Sequence, residues 1–271
     1  MGEKALQPRM AIAQFHPEYD AEREHAWHLS CWLEAGLEAW AVHETGSGRL
    51  MALYADKGEG IPENARLPLR PASVTFTAMP ETSTLVPESA LAPGTELRHL
   101  KLVHGKVPTG LLRDEPVEQI GARCIYLHDE VAERTLTLRF PQARSVPLQT
   151  LLIKLGLSGS GPEMVLYRTK DRMDLVIGNA GKLELCNTFH ATAKEDLLYY
   201  ALFAMEHCGM SPAATPLRIG GSLLVEADEA LLAMYFKDVQ PLSSGGVPFI
   251  GNGPVAEAHH WAALLEQYTC A

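Results

Sequence analysis

Histidines are the side chains of this sequence that most readily suggest chemistry, because a neutral imidazole can bind a transition metal or transfer a proton. The chain has 11 of them. Three pairs are close in sequence: His25/His28, His99/His104 and His259/His260. None belongs to an HExxH motif or has a cysteine at ligand spacing, and adjacent helical residues point about 100° apart. We interpret them as surface or half-buried histidines, with a metal site as the weaker alternative.

Carboxylates near the ends of predicted strands are a second candidate site. Two-metal nucleases bind their metal ions through several carboxylates that converge from central strands. The candidates here are Glu34, Asp171, Asp174 and Glu184. Their positions along the strands do not bring them together, so we do not expect a nuclease. The net charge of −10, from 33 acidic and 23 basic residues, also disfavours nucleic acid as a partner.

A glycine-rich loop, SSGGVPFIGNGP at residues 243–254, resembles a phosphate loop only in its glycines. The Lys-Ser/Thr pair that follows such a loop is absent. Two interpretations remain open. The loop is either a mobile connection or an apolar tip, formed by Phe249 and Ile250, that contacts a protein partner.

The composition predicts an ordinary soluble protein. Hydrophobic residues make up 46% of the chain and charged residues 21%, close to average usage. No stretch has the length of a secretory signal core or of a membrane span. The five cysteines are scattered, never spaced as CxxC, and read as buried free thiols. We expect a cytoplasmic protein with no membrane span.

Two regions, residues 25–57 and 164–191, each have the pattern of three short strands separated by glycine-containing turns. The two meanders begin about 135 residues apart and have matching turn positions, which indicates an internal duplication. The glycine- and serine-rich stretch after residue 156 marks the boundary. The sequence therefore predicts two domains, at residues 1–158 and 159–271.

The C-terminal half contains the most clearly bounded helix, predicted at about residues 193–208. Thr192 and Glu195 match a capping box, and Gly209 suits the left-handed position that ends a helix. Its centre, residues 197–205, is apolar all round, so we expect cover on more than one side. Tyr199 and Tyr200 suit such a boundary. The predicted order in this half is β-β-β-α-β-α-β, a mixed sheet with flanking helices.

The N-terminal half is predicted to continue with an extended linker at residues 63–72 and a strand at 73–79. A short helix from Val86 to Leu91 follows, opened by a proline. The rest of this half reads as alternating strands and one amphipathic helix near residues 147–155. The predicted fold class is thus α/β, with two mixed β-sheets and flanking helices.

Three motifs together resemble an uncharacterised bacterial family, domain of unknown function thirty-eight twenty-two. They are FHATAKEDLLYYALFAMEHCGMSP followed by PLRIGGSL, the strand and turn TFTAMPETSTLVPESAL, and the closing AHHWAALLEQYTCA. The resemblance implies a duplicated actin-like fold of ribonuclease-H type, related in shape to actin-like proteins of pilus and type II secretion machinery. It implies no reaction.

The resemblance to actin-like ATPases predicts a glycine-containing acidic turn in each half that holds phosphate. The first turn has Glu34 and Gly36 without an Asp-x-Gly pattern, and the second has Asp171 without any glycine. A better-preserved feature is LRIGGS. Its Gly220, Gly221 and Ser222 resemble the turn that packs against adenosine in actin-like kinases, although a tight strand-to-helix turn would need the same glycines.

These features favour a non-catalytic actin-like protein that acts in protein–protein interaction or assembly. It would bind another protein or a second copy of itself, through an interdomain cleft or a helix face, with no catalytic residues, metal or cofactor. The alternative is a nucleotide-binding ATPase or phosphotransferase with divergent phosphate loops and ATP as its ligand. A cleft closed by large side chains would argue against the alternative.

Overall fold

The computed structural model describes residues 12–34, 36–56, 66–243 and 247–270. Nine strands belong to the described N-terminal half: β1 (Ile12–Phe15), β2 (Trp27–Leu33), β3 (Leu37–Glu44), β4 (Leu50–Ala55), β5 (Ser73–Ala78), β6 (Thr82–Pro87), β7 (Leu111–Val117), β8 (Ala122–His128) and β9 (Arg144–Ser145). Its helices are α1 (Glu96–His104), α2 (Glu130–Arg139) and α3 (Leu148–Gly156).

The C-terminal half follows the order of three strands, helix, strand, helix and strand, with two short strands and a helix after them. Its strands are β10 (Pro162–Thr169), β11 (Arg172–Asn179), β12 (Lys182–His190), β13 (Leu217–Gly220), β14 (Val239–Pro241), β15 (Phe249–Ile250) and β16 (Gly253–Pro254). Its helices are α4 (Lys194–His207), α5 (Glu226–Ala233) and α6 (Ala262–Glu266).

Two mixed sheets have the same arrangement of their central strands. The first has the order β1-β4-β3-β2-β5-β9 and the second β12-β11-β10-β13-β14. In each, an antiparallel meander is extended by two parallel strands, β5 and β9 beside β2, or β13 and β14 beside β10. A third sheet, β6-β8-β7, packs against α1 around the buried Leu100. The chain therefore has a mixed α/β fold.

The central strands are apolar runs because both of their faces are covered. All seven residues of β2 are buried, as are seven of the eight in β10. Strands buried on both faces lose the alternation of polar and apolar residues that marks a half-exposed strand. The edge strand β12 alternates between half-buried and exposed along most of its length, because one face meets solvent.

The sequence-based prediction missed two helices of the N-terminal half. α1 and α2 occupy a region for which alternating strands were predicted, and the helix expected from Val86 to Leu91 is wrong. Val86 lies in β6, and only Glu88–Ala90 form a short 3₁₀ turn. α2 begins at a recognisable cap, since the Asp129 carboxylate accepts a hydrogen bond from the amide of Val131 at 2.6 Å.

Helix α4 lies where it was predicted, but its capping group differs. The carboxylate of Asp196, not of Glu195, accepts hydrogen bonds from the amides of Thr192 and Ala193, at 3.0 and 2.9 Å. This arrangement also places negative charge at the positive end of the helix dipole. Gly209 has a φ of +66° and ends the helix as predicted.

The space between the two sheets is filled by α3 and by the C-terminal segment, residues 255–270. All but one of the nine residues of α3 are buried. One continuous core contains Leu53 of the first sheet, Val165 of the second, Leu152 of α3 and Leu264 of α6. The two halves thus share a core.

Candidate functional site

Three aromatic rings occupy the junction between the two sheets. The Trp32 ring, from the end of β2, lies 6.2 Å from that of Tyr167 on β10 and 6.3 Å from that of Trp261. None of the three residues exposes more than 3% of its surface. The Tyr167 hydroxyl donates to the carbonyl of His260 at 3.0 Å. The strand ends that flank the predicted nucleotide cleft are therefore packed against large side chains.

An ion cluster beside these rings also joins the halves. The Arg172 guanidinium donates twice to the Asp174 carboxylate, at 2.7 Å for each bond, and once to the backbone carbonyl of Glu81. Its remaining acceptor is the hydroxyl of Thr188 at 3.3 Å. The amide of Leu148 donates to Glu81 Oε2 at 3.2 Å. Protein groups thus engage the whole guanidinium, so a phosphate would have to displace them.

Burial decides the ionisation of Glu81. The side chain is almost fully enclosed, and desolvation raises its pKa to about 7, while the nearby Arg172 charge acts in the opposite direction. A carboxyl that ionises near neutral pH can act as an acid or a base. Because protein groups of the described residues enclose Glu81, we interpret it as a structural group.

The predicted adenosine turn lies at the end of β13. Gly221 has a φ of +116°, and an added methyl group would overlap the backbone of Arg168. The Gly221 amide donates to the carbonyl of His259 at 3.2 Å, and the His260 ring accompanies it, with Nδ1 3.0 Å from the Gly221 carbonyl. Gly220 is likewise packed against the His259 carbonyl, and Ser222 is buried. The His259 carbonyl and the Arg168 backbone occupy the space that side chains at Gly220 and Gly221 would fill.

The four candidate carboxylates occupy different surroundings. Asp174 is buried against Arg172, Asp171 and Glu184 are exposed, and Glu34 accepts a 3.5 Å bond from the Trp32 indole. Within the described residues, no group of three or more His, Cys, Asp and Glu side chains is placed to hold a metal ion.

An open groove of about 560 Å³ lies between the β3–β4 hairpin and the C-terminal part of the chain. Most of its walls are apolar. It is lined by His43, Gly48, Arg49, Leu50, Pro241, Leu242, Ser243, Val247, Pro248, Phe249, Val255, Glu257, Ala258, His259, Ala262, Leu265, Tyr268 and Thr269. We call this feature the lateral groove.

Of the two residues predicted to form an apolar tip, Phe249 lines the lateral groove and Ile250 does not. Phe249 exposes 55% of its surface, whereas Ile250 is half-buried and packs against the shared core. Val247, close to them in the sequence, exposes 60% of its surface. Residues 244–246 of the glycine-rich loop lie outside the described residues, so its mobility stays a prediction. The apolar contact surface here is therefore Val247 with Phe249.

Polar groups on the wall of the lateral groove that the N-terminal half forms are held in place by stacking and ion pairs. The rings of His43 and Tyr268 stack at 4.8 Å. Burial, assisted by the nearby His28, lowers the pKa of His43 to about 3, so this imidazole is neutral at physiological pH. Arg49 pairs with Glu18 at 2.9 Å. The groove thus offers a mostly apolar floor, and its described lining includes the Arg49 cation and the carboxylate of Glu257.

Behind the groove, the C-terminal segment closes a buried polar network on the first sheet. His28 lies between the hydroxyls of Ser73, at 2.8 Å, and Thr75, at 3.1 Å. The Gln267 amide accepts from Thr75 and donates to the carbonyl of Cys31, at 3.1 and 3.0 Å. Burial lowers the pKa of His28 to about 4. The network anchors the segment that forms one wall of the groove.

Helix α4 presents the predicted tyrosines differently. Tyr200 is half-buried and stacks on Phe189 of β12 at 4.4 Å, while Tyr199 exposes 63% of its surface. Leu197 and Ala201 are buried on the opposite side of the helix. The chain itself covers one side of α4 and leaves another face open. Cover on more than one side, by the other half or by a second molecule, therefore stays a prediction.

Sequence reasoning did not identify the lateral groove. Its two walls come from residues 43–50 and 241–269, which are separated by almost 200 positions. The only available signal was the pair of apolar residues in the glycine-rich loop.

Comparisons with known proteins agree with this architecture. A family model described as Protein of unknown function (DUF3822) matches residues 72–239. No curated protein matches the sequence. A crystal structure from Bacteroides thetaiotaomicron VPI-5482, of a protein with actin-like ATPase fold and unknown function, is 17% identical. That match covers 92% of this chain and 98% of the other, with a TM-score of 0.71.

A second similar structure is the PilM–PilN type IV pilus biogenesis complex. The match has 14% identity and a TM-score of 0.51, and it covers 90% of this chain and 98% of the other. At these identities the likeness establishes the fold alone. Across the described parts of the chain, no helix has the length and apolar character needed to cross a membrane.

Proposed function

We propose that this chain, which belongs to the family described as Protein of unknown function (DUF3822), is a non-catalytic actin-like protein that binds a protein partner. The observation that carries the proposal is the filled junction between the sheets. Trp32, Tyr167 and Trp261 occupy the position where an actin-like ATPase would need an open cleft. An open volume of about 560 Å³ lies in the lateral groove.

The lateral groove suits a peptide segment with apolar anchor side chains. Ligand sites of this kind combine an apolar surface with a few fixed polar groups. Leu242, Val255 and Leu265 supply apolar walls. A carboxylate of the peptide that pairs with Arg49 at the rim would have to displace the exposed Glu18. The similar PilM–PilN structure is itself a two-protein complex, which is compatible with a binding role for the fold.

We also infer that the two halves, residues 1–158 and 159–271, derive from one duplicated actin-like unit. The support is the equivalent order of the central strands, in which β2, β3, β4, β5 and β9 correspond to β10, β11, β12, β13 and β14. Residue identity between the copies has been lost while the order of strands has been kept.

Nucleotide binding is the alternative, and the Gly220–Gly221 turn is the observation that favours it. Arg168, His259 and His260 crowd this turn. A bound nucleotide would therefore require the C-terminal segment to move. Thermal unfolding with ATP or ADP and Mg²⁺ tests this directly. A ligand at 100 times its dissociation constant adds about 2.7 kcal/mol to stability, and we expect no upward shift in Tm.

The partner proposal is tested with a peptide library displayed against the purified chain. We expect selected peptides to share apolar anchors and to lose at least about tenfold in affinity for the Phe249→Glu variant. Leu102→Glu is the matched control, since Leu102 on α1 is also an exposed apolar side chain, at 82%. Peptides that bind both variants equally, or a selection that yields none, would refute the groove as a protein-binding site.

A further inference from the structure

The open face of α4 has an ordered stripe of four side chains spaced four residues apart: Glu195, Tyr199, Phe203 and His207. Residues at this spacing lie on one side of a helix. The three rings of this set form a continuous stack, with 6.2 Å between the centroids of Tyr199 and Phe203 and 6.5 Å between those of Phe203 and His207. We call these four residues the α4 stripe. It is a separate surface from the lateral groove.

The centre of the α4 stripe is apolar and open to solvent. Tyr199 and Phe203 expose 63% and 51% of their surfaces, although Ala204 and Met205 in the same helix are buried in the core of the C-terminal half. Contiguous exposed aromatic surface usually marks a contact site. The stripe begins with the carboxylate of Glu195 and ends with the imidazole of His207.

The stripe is complementary to itself when reversed. Tyr199 and Phe203 lie two positions on either side of Ala201, and Glu195 and His207 lie six positions on either side. A two-fold axis at the level of Ala201 would therefore place Tyr199 beside Phe203 of a second copy. The same axis would place Glu195 beside His207 of that copy, twice in each pair of chains.

Helix geometry allows this pairing along the whole stripe. Residues spaced by four form a ridge, and two such ridges lie side by side when helices cross at about −50°. The ridge from Glu195 to His207 is about 18 Å long, enough for all four contacts. A parallel arrangement would instead bring the two Glu195 carboxylates together, so charge selects the antiparallel one.

We propose that the chain forms a symmetric dimer in which α4 packs antiparallel against α4 of a second copy, with the α4 stripe as its centre. Such an interface is isologous, because the same surface serves both chains. Lys194 and Glu206, both exposed, lie nearly symmetrically about the same axis and add a second pair of opposite charges at the rim.

Sedimentation equilibrium of the full chain tests the dimer. We expect the wild-type chain to dimerise at roughly 100 µM or below and the Phe203→Glu variant to be monomeric. Leu102→Glu, at an exposed site in the other half, should dimerise as the wild type does. Circular dichroism should be unchanged in both variants, and so should thermal melting at chain concentrations below the dissociation constant, since neither side chain belongs to the core.

Charge exchange tests the orientation of the helices. His207→Glu should weaken dimerisation by about five- to tenfold, because it places two carboxylates together at two positions. Glu195→Lys should weaken it as well, because it removes the carboxylate that can accept a hydrogen bond from the His207 ring of the second copy. The double variant recreates opposite charges in reversed order and should restore the wild-type dissociation constant. A wild-type monomer, a dimeric Phe203→Glu variant, or a double variant as weak as the single ones would overturn the proposal.

The same variants separate this proposal from the groove. Phe203→Glu should bind the selected peptides with wild-type affinity, and Phe249→Glu should dimerise normally. If no peptide binds the groove but the wild-type chain dimerises, the groove proposal fails and the α4 interface is supported. If peptides bind the groove but the wild-type chain is monomeric, the α4 interface fails and the groove proposal is supported.

Discussion

Replacing Glu81 by Gln should make the protein more stable at alkaline pH and leave it little changed in acid. Glu81 is 6% exposed, and its pKa rises from 4.5 to about 7 on folding because burial disfavours the carboxylate. Folding therefore favours the protonated form. The contribution to stability is fully present below about pH 4.5 and is lost as pH rises towards 7.

The size of the effect follows from the pKa change. A displacement from 4.5 to about 7 corresponds to about 3 kcal/mol in the free energy of unfolding. The substituted carboxamide cannot ionise, yet its oxygen can still accept the 3.2 Å bond from the Leu148 amide. The variant should thus exceed the wild type by up to about 3 kcal/mol at about pH 8, and by much less at about pH 4.5.

Urea denaturation at several pH values, followed by fluorescence of the four tryptophans, measures this difference. Glu88→Gln is the control, since Glu88 is exposed and belongs to the same segment of the chain. A variant that is less stable than the wild type at about pH 8 would refute the reasoning. That result would mean that the Glu81 carboxylate is ionised and stabilised by Arg172.

Three further changes test other parts of the structure. His28→Gln should reduce the loss of stability between pH 6.5 and 4. In the wild type, the His28 ring of the unfolded chain takes up a proton near pH 6.5, whereas burial lowers the pKa of the folded ring to about 4, so falling pH favours unfolding. A pH series of urea melts measures the difference. Gly221→Ala should lower the free energy of unfolding by at least about 3 kcal/mol, because the added methyl group overlaps the Arg168 backbone. Gly48→Ala should lower it by about 1 kcal/mol, because the neighbour there is the Tyr268 side chain. Asp228→Asn should cost about 3 to 5 kcal/mol by leaving the buried Arg168 guanidinium without its carboxylate, whereas Arg168→Met combined with Asp228→Leu should recover much of that loss in the same melts.

The central strands and α4 were predictable because each has a strong local signal. Strands β2 to β4, β10 and β11 are mostly apolar, β12 alternates as an edge strand, and turns separate them. Gly209 ends α4 where a left-handed residue is needed. The capping group was misjudged because Glu195 and Asp196 are adjacent acidic residues. Which carboxylate reaches back depends on where the first helical turn begins, and a one-residue shift exchanges their positions.

Helix α2 was missed for a different reason. Residues 130–139, EVAERTLTLR, alternate Thr and Leu at their end, a pattern that favours a strand, and only Leu136 becomes fully buried. With so little of its surface in the core, this helix has weak apolar periodicity. The lateral groove could not be predicted locally, because contacts between distant segments form its walls.

Gln267 has a consequence for how the protein is made. Its amide group completes hydrogen bonds with Cys31, Thr75 and Thr77 on the first sheet, although it is synthesised more than 180 residues later. During translation, the Cys31 carbonyl and the Thr75 and Thr77 hydroxyls therefore leave the ribosome before the side chain that pairs with them. We expect the N-terminal half to complete this polar network only after residue 267 has been synthesised.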